Sequence, residues 1–314
     1  MAEEDVLVGR CPQCGEEIQV PAGLEAFSCL YCGSRLTPDD LRGNLPPAEA
    51  LEGDPAALLE RVRRDLIGCV ADHAQLRQQI TRNHYNLAFQ NYEVQCRAVF
   101  EDLDLACRLE PASQSLWIGQ VVDDFLDRLE ARWAQLGRAG LRRDEDKMII
   151  AVFLVPMVGH LDLTISGAFC QTLQQKWVER YPKSPFYIGT YEDIAGGFRK
   201  KFKLCFITTA VCHELGLPDD CPQLEAFRAF RDGYLMACPD GPALVDAYYD
   251  IAPGIVACID LCGDRAQRYA AIREAYLDPC YRDLQAGRPE ACKARYVRMV
   301  RDLGGAYLGL RWKN

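Results

Sequence analysis

Two knuckles, Cys11-Pro-Gln-Cys14-Gly15 and Cys29-Leu-Tyr-Cys32-Gly33, constrain the start of this chain more than any other feature. Two residues between thiolates let both sulfurs face one ion, and glycine after the second cysteine permits the positive φ that closes such a turn. The 14 residues between Cys14 and Cys29 fall just short of the roughly 15–20 usual between paired sites. No histidine stands nearby, so Cys11, Cys14, Cys29 and Cys32 are the expected ligands and zinc the expected ion. Residues 16–20 and 25–28, separated by Pro21-Ala22-Gly23, should form short strands. A segment this small has too little core to fold alone, so metal binding should supply its folding free energy. The expected zinc ribbon covers residues 1–36.

Cysteine does not stop there: the chain carries 16 in 314 residues. Its first ten residues, MAEEDVLVGR, lack the positive charge and apolar run of an export signal, so a reducing cytoplasm is expected. Disulfides do not persist there, and the other twelve cysteines read as small buried apolar side chains. The longest apolar run, Met148 to Gly159, falls short of the roughly 20 residues a membrane span needs. It reads as a buried core helix, and no membrane association is expected.

Charge narrows the partner. The net charge is −9, and a phosphate-binding surface draws its affinity from clustered Lys and Arg. Within residues 1–40, Glu3, Glu4, Asp5, Glu16, Glu17, Glu25, Asp39 and Asp40 face only Arg10 and Arg35, a formal −6. Zinc with four thiolates adds further negative charge, so a protein partner is expected and nucleic acid is not.

Residues 37–56 are rich in Pro, Gly, Asp and Glu and read as a linker. Beyond them the periodicity is helical, giving a mainly α chain: the small β ribbon, then a bundle-like body of a helical domain at 57–200 and a C-terminal one at 201–314. Leu59, Leu66, His73, Ile80 and Leu87 recur every seven residues, with Val62, Cys69, Leu76 and Asn83 between them. That pattern predicts one long helix, packed in a hairpin with Leu116 to Leu136 or along a homodimer seam. The stripe Asp123, Asp127 and Glu130 reads as a solvated face. Leu163 to Tyr181 reads as an amphipathic helix, and two arms, Tyr269 to Leu284 and Cys292 to Tyr307, as a hairpin turned at Gly287 and Pro289. Arg295, Arg298 and Arg301 line one side of the second arm as a solvated face.

The segment from Cys205 to Glu214 reads as a buried helix. A second should open at an Asp220 cap, with Leu224, Phe227, Phe230 and Tyr234 as its apolar stripe and Arg228 paired with Asp232. Cys205-Phe206-Ile207, Thr209-Ala210, Phe230-Arg231-Asp232, Leu235, Tyr248-Tyr249 and Ala252-Pro253 resemble the bacterial CFI-box C-terminal domain. The likeness covers about residues 204–253. It implies a helical fold and a bacterial origin, and it carries no activity.

Three chemistries compete with packing. Cys205 or Cys212 could act as a nucleophile with His213 as base, oriented by Asp219 or Asp220; neighbours on a helix point about 100° apart, which disfavours a Cys212–His213 pair, and His160 is another base within the chain's reach. Cys258 and Cys262, four apart, could share a second metal with Cys221, Cys238 or Cys280. Arg199, Lys200 and Lys201 precede an apolar helix and could form an anion site at its N-terminus. Phosphate loops, nucleophile elbows and dinucleotide fingerprints do not occur. The expected function is therefore a zinc-binding interaction or adaptor protein, with a thiol-dependent enzyme as the alternative.

Overall fold

The computed structural model describes residues 6–13, 17–21, 24, 26–38, 40, 52–199 and 205–312. The chain divides into two compact units, Met1–Gly53 and Asp54–Asn314, so the segments read as 57–200 and 201–314 are parts of one body.

In the first unit the strands pair as two antiparallel hairpins. β1 (Val6–Arg10) runs antiparallel to β2 (Glu17–Pro21), with Val8 opposite Gln19, and β3 (Phe27–Ser28) pairs with β4 (Arg35–Leu36). The two strands expected between the knuckles are β2 and β3; β1 and β4 lie outside the knuckles and carry too little pattern to be read from sequence. Gly33 takes φ +76°, as the turn requires. The core is Cys11, Ile18, Val20, Cys29 and Leu36, with Phe27 against it.

The body is helical throughout. The long helix expected from the heptads is instead broken into α1 (Pro55–Asp65), α2 (Gly68–Ala71), a 3-10 segment at Ala74–Gln79 and α3 (Tyr85–Leu109). Asp54 caps α1 by accepting the Ala56 N–H at 3.0 Å, with Pro55 at the first helical position. The chain then reverses, and α1 packs antiparallel on α3: Arg61 pairs with Asp102, and the Tyr92 hydroxyl donates to the Cys69 carbonyl at 2.8 Å. The two polar residues of the heptad pattern, His73 and Asn83, lie at breaks. His73 opens the 3-10 segment, and the Arg82 and Asn83 N–H groups donate to the Asp250 carbonyl and carboxylate. Leu87, expected in the seam, is 63% exposed.

α4 (Gln114–Leu136) packs on α5 (Ala139–Ile149) and α7 (Ser166–Arg180). The stripe read as solvated is indeed exposed, and it also pairs with α7: Lys176 reaches Asp123 at 2.7 Å, and Arg180 reaches Asp127 at 2.6 Å and Asp123 at 3.1 Å. The apolar run does form the buried centre. α5 continues through a π turn, Ile150–Leu154, into α6 (Val155–His160), and the six residues Ile149 to Leu154 are wholly buried. Pro156 has no N–H to offer the Val152 carbonyl; the Tyr85 hydroxyl donates to it at 3.0 Å, which accounts for the π turn and for a buried tyrosine there.

After α8 (Tyr191–Arg199) come α9 (Phe206–Glu214) and α10 (Pro222–Ala229), which runs through a π turn at Phe230–Leu235. The residue capping α10 is Cys221, not Asp220, and no side chain bonds the cap. Arg228 does not pair with Asp232: it reaches Glu225, while Asp232 takes both bonds of a neighbouring Arg231 fork at 2.6 and 2.8 Å. α11 (Gly241–Asp260) is long and apolar enough to cross a membrane by length and composition, yet it lies inside the body against α8, α9 and α14 (Pro289–Leu308). Gly254 sits where a Cβ would lie 1.8 Å from the Ile80 carbonyl oxygen, so the break before α3 docks on α11 only because that residue has no side chain. The C-terminal hairpin forms as expected. α12 (Arg265–Ile272) and α13 (Asp278–Gln285) make one arm and α14 the other, with Gly287 at φ +67° between them.

Candidate functional site

The knuckles bring sulfur together. The Sγ atoms of Cys11, Cys29 and Cys32 lie within 4.8 Å of one another, Cys11 and Cys32 at 3.7 Å. Backbone N–H groups already point at these sulfurs: Gln13 donates to Cys11 at 3.4 Å, and Tyr31 and Cys32 donate to Cys29 at 3.4 and 3.5 Å. Cys14 lies outside the described residues. A soft all-sulfur donor set fits a d10 ion such as zinc, and the residues could hold one. Cys11 and Cys29 are buried, whereas between Cys29 and Cys32 the knuckle tip holds Leu30 at 89% exposure and Tyr31 at 66%.

The body thiols do the opposite. Cys212 is buried with its Sγ 3.7 Å from that of Cys221, and burial followed by the Cys221 contact pushes its pKa up to about 12. Burial also raises Cys205, with the charge of Arg231, whose Nη1 stands 3.7 Å from the sulfur, opposing only in part. His213 is exposed and pairs with Asp219 at 2.8 Å, so the expected base meets its expected orienting carboxylate while Cys212 turns inward. His160 stands elsewhere, between Glu93 at 3.9 Å and Glu192 at 3.6 Å, in a cleft whose one thiol, Cys170, is raised to about 12 by burial.

The second metal reading is not assembled. Cys262 donates to the Cys258 carbonyl at 3.2 Å, as a helix-packed thiol does, while Cys221 contacts Cys212 and Cys280 donates to the Cys292 carbonyl. Among the described residues, Cys11, Cys29 and Cys32 form the one group of three or more side chains that could hold an ion. Arg199 closes α8, but its side chain and Lys200 and Lys201 lie outside the described residues. Arg295 and Arg298 are paired, with Asp283 and Asp302.

One cluster went unread. Cys69 and Cys96 face each other across the α1–α3 hairpin, and the His73 Nε2 stands 3.8 Å from the Cys96 sulfur. The hydrogen bond from Cys69 and then that from His73 outweigh burial and lower Cys96 to about 6, while Cys69 is raised in return. A sequence signal existed, since Cys69 and His73 are four apart, but Cys96 joins them only because the helix breaks and folds back. Comparison with family models, with curated proteins and with solved structures gives no match.

Proposed function

We propose that the N-terminal unit binds one zinc ion through Cys11, Cys14, Cys29 and Cys32 and serves a cytoplasmic adaptor as its interaction module, with a protein as partner. One observation carries this reading: Leu30 and Tyr31 stand exposed between two metal-ligand positions. A large exposed aromatic and a leucine on a rigid turn are typical anchors for a protein surface. The ligand backbone that fixes the sulfurs also fixes these two side chains, so metal binding and display of the tip are one event. The acidity of residues 1–40 disfavours a phosphate backbone on the same face.

The test places a photo-reactive phenylalanine derivative at Tyr31 in the full chain inside cells, and another at exposed Val94 of the body. A discrete protein adduct from position 31, lost with Cys29→Ser and absent from position 94, is the expected result. Adducts dominated by RNA or DNA, or a Tyr31 adduct indifferent to Cys29→Ser, would contradict the reading.

A further inference from the structure

The residues singled out between Cys205 and Tyr248 converge on a cavity in the body that the metal site does not involve. Cys205 from the start of α9, Phe230, Arg231 and Leu235 from the π turn and Tyr248 from α11 line a space of about 110 Å³, closed on the far side by α14. Its walls are almost wholly carbon. Their polar atoms are occupied with one another: the Tyr248 hydroxyl accepts the Ile207 N–H at 3.0 Å, the Arg231 Nη1 donates to the Tyr249 hydroxyl at 2.9 Å, and the Tyr296 and Thr208 hydroxyls are 3.2 Å apart. A ligand's inner part therefore finds no polar group to satisfy and must itself be apolar.

The rim differs. It carries two guanidinium-bearing residues, Arg231 and Arg301, in a chain of net charge −9. Arg231 is neutralised by Asp232, and Asp302, the acid nearest Arg301 in sequence, is held by Arg298 and the Tyr276 hydroxyl. Among the described residues no carboxylate pairs with Arg301. Trp312 stands beside it at the mouth, its Nε1 donating to the Arg301 carbonyl at 3.1 Å. An apolar cavity of about 150 Å³ takes benzene, so this smaller one suits a short alkyl chain whose head stays at the mouth, and it excludes a long acyl tail.

We infer that the cavity binds a small amphipathic carboxylate, its alkyl end among Phe230, Leu235 and Tyr248 and its carboxylate on the Arg301 guanidinium. Burial of the apolar end supplies affinity, and the charge-assisted pair at the rim selects the anion.

Calorimetric titration of the full chain with hexanoate, and with hexan-1-ol as its neutral counterpart, tests this. Saturable one-to-one binding of hexanoate is expected, weaker for hexan-1-ol, and reduced by about tenfold or more in Arg301→Gln, since an exposed arginine can be changed without disturbing the fold. Filling the cavity with Val245→Phe should abolish binding. If that variant fails to fold, hexanoate should still slow labelling of Cys205 by a small electrophile in the unmodified chain, while Cys170 labelling stays unchanged. Absence of saturable hexanoate binding, equal binding of hexan-1-ol together with an unaffected Arg301→Gln, or Cys205 labelling indifferent to hexanoate would each overturn the inference.

Discussion

Cys29 in the first unit and Cys258 in the body are both buried thiols, yet their surroundings assign them opposite work. Around Cys29 the neighbours are two more sulfurs and backbone N–H groups, in a core of five buried residues with one aromatic against it. Around Cys258 the neighbours are the apolar side chains of a core that runs from Leu58 to Leu308, and burial drives its pKa far up. The first arrangement has sulfur and little hydrophobic area; the second has area and treats sulfur as another apolar atom. Stability in the two units should therefore depend on different things.

Metal removal should split the units most widely. A structural zinc site supplies apparent binding free energies of about 10–16 kcal/mol, so a strong chelator, or Cys29→Ser, should leave residues 6–40 without protection from hydrogen exchange. The α3, α4 and α11 amides should keep theirs. Joint loss in both units would break the comparison.

Gly254→Ala should act only on the body. Its Cβ would meet the Ile80 carbonyl oxygen at 1.8 Å, an overlap that costs about 3 kcal/mol or requires α11 to shift. Thermal unfolding of the body should move down by several degrees while zinc content stays the same. A neutral result would mean that the break before α3 does not dock on α11 as described.

A smaller effect is expected for Tyr85→Phe, which leaves the Val152 carbonyl without its hydroxyl donor in a site closed to water. The cost should be about 1–3 kcal/mol, read from denaturant midpoints. Tyr92→Phe, which removes the bond to the Cys69 carbonyl, should fall in the same range.

The Cys69–Cys96–His73 cluster gives the mildest and most specific signal. Cys96 titrates near 6 when folded against an ordinary thiol value of 9.0. Between those values the unfolded chain holds a proton that the folded chain has released, so this thiol's contribution to stability rises with pH across the window and is lost as pH falls through about 6. The raised Cys69 works the other way above 9.0, where the unfolded chain loses a proton that the folded chain keeps. Plotted as a difference from Cys96→Ala, stability should climb from pH 6 to 9; a flat difference would remove the thiolate assignment.

The cluster of Cys11, Cys29 and Cys32 was legible because CxxC spacing encodes geometry within four residues, and the Met148 to Gly159 core because an unbroken apolar run has no exposed face to offer. The C-terminal hairpin was legible for a similar reason: Gly287 and Pro289 punctuate two amphipathic stretches. The break between Gln79 and Tyr85 was not. Heptad spacing continues through it, and what stops the helix is tertiary: the Asp250 acceptors for Arg82 and Asn83 and the close approach of Ile80 to Gly254. The cavity was half legible, since several residues that line it were marked between Cys205 and Tyr248, while Arg301 was read only as part of a solvated face and Trp312 carried no mark. The stripe at Asp123, Asp127 and Glu130 is solvated as read, but its pairing with Lys176 and Arg180 was not legible, because an acidic stripe looks the same in sequence whether or not a neighbouring helix supplies cations.

The most direct measurement is native mass of the full chain with its four variants Cys11→Ser, Cys14→Ser, Cys29→Ser and Cys32→Ser. The account predicts one zinc in the parent chain, markedly weakened or absent zinc in each variant, and a body whose far-UV helix signal is the same in all five. Zinc retained at full occupancy by the four variants, or a parent chain that takes up none when refolded with the ion, would contradict it.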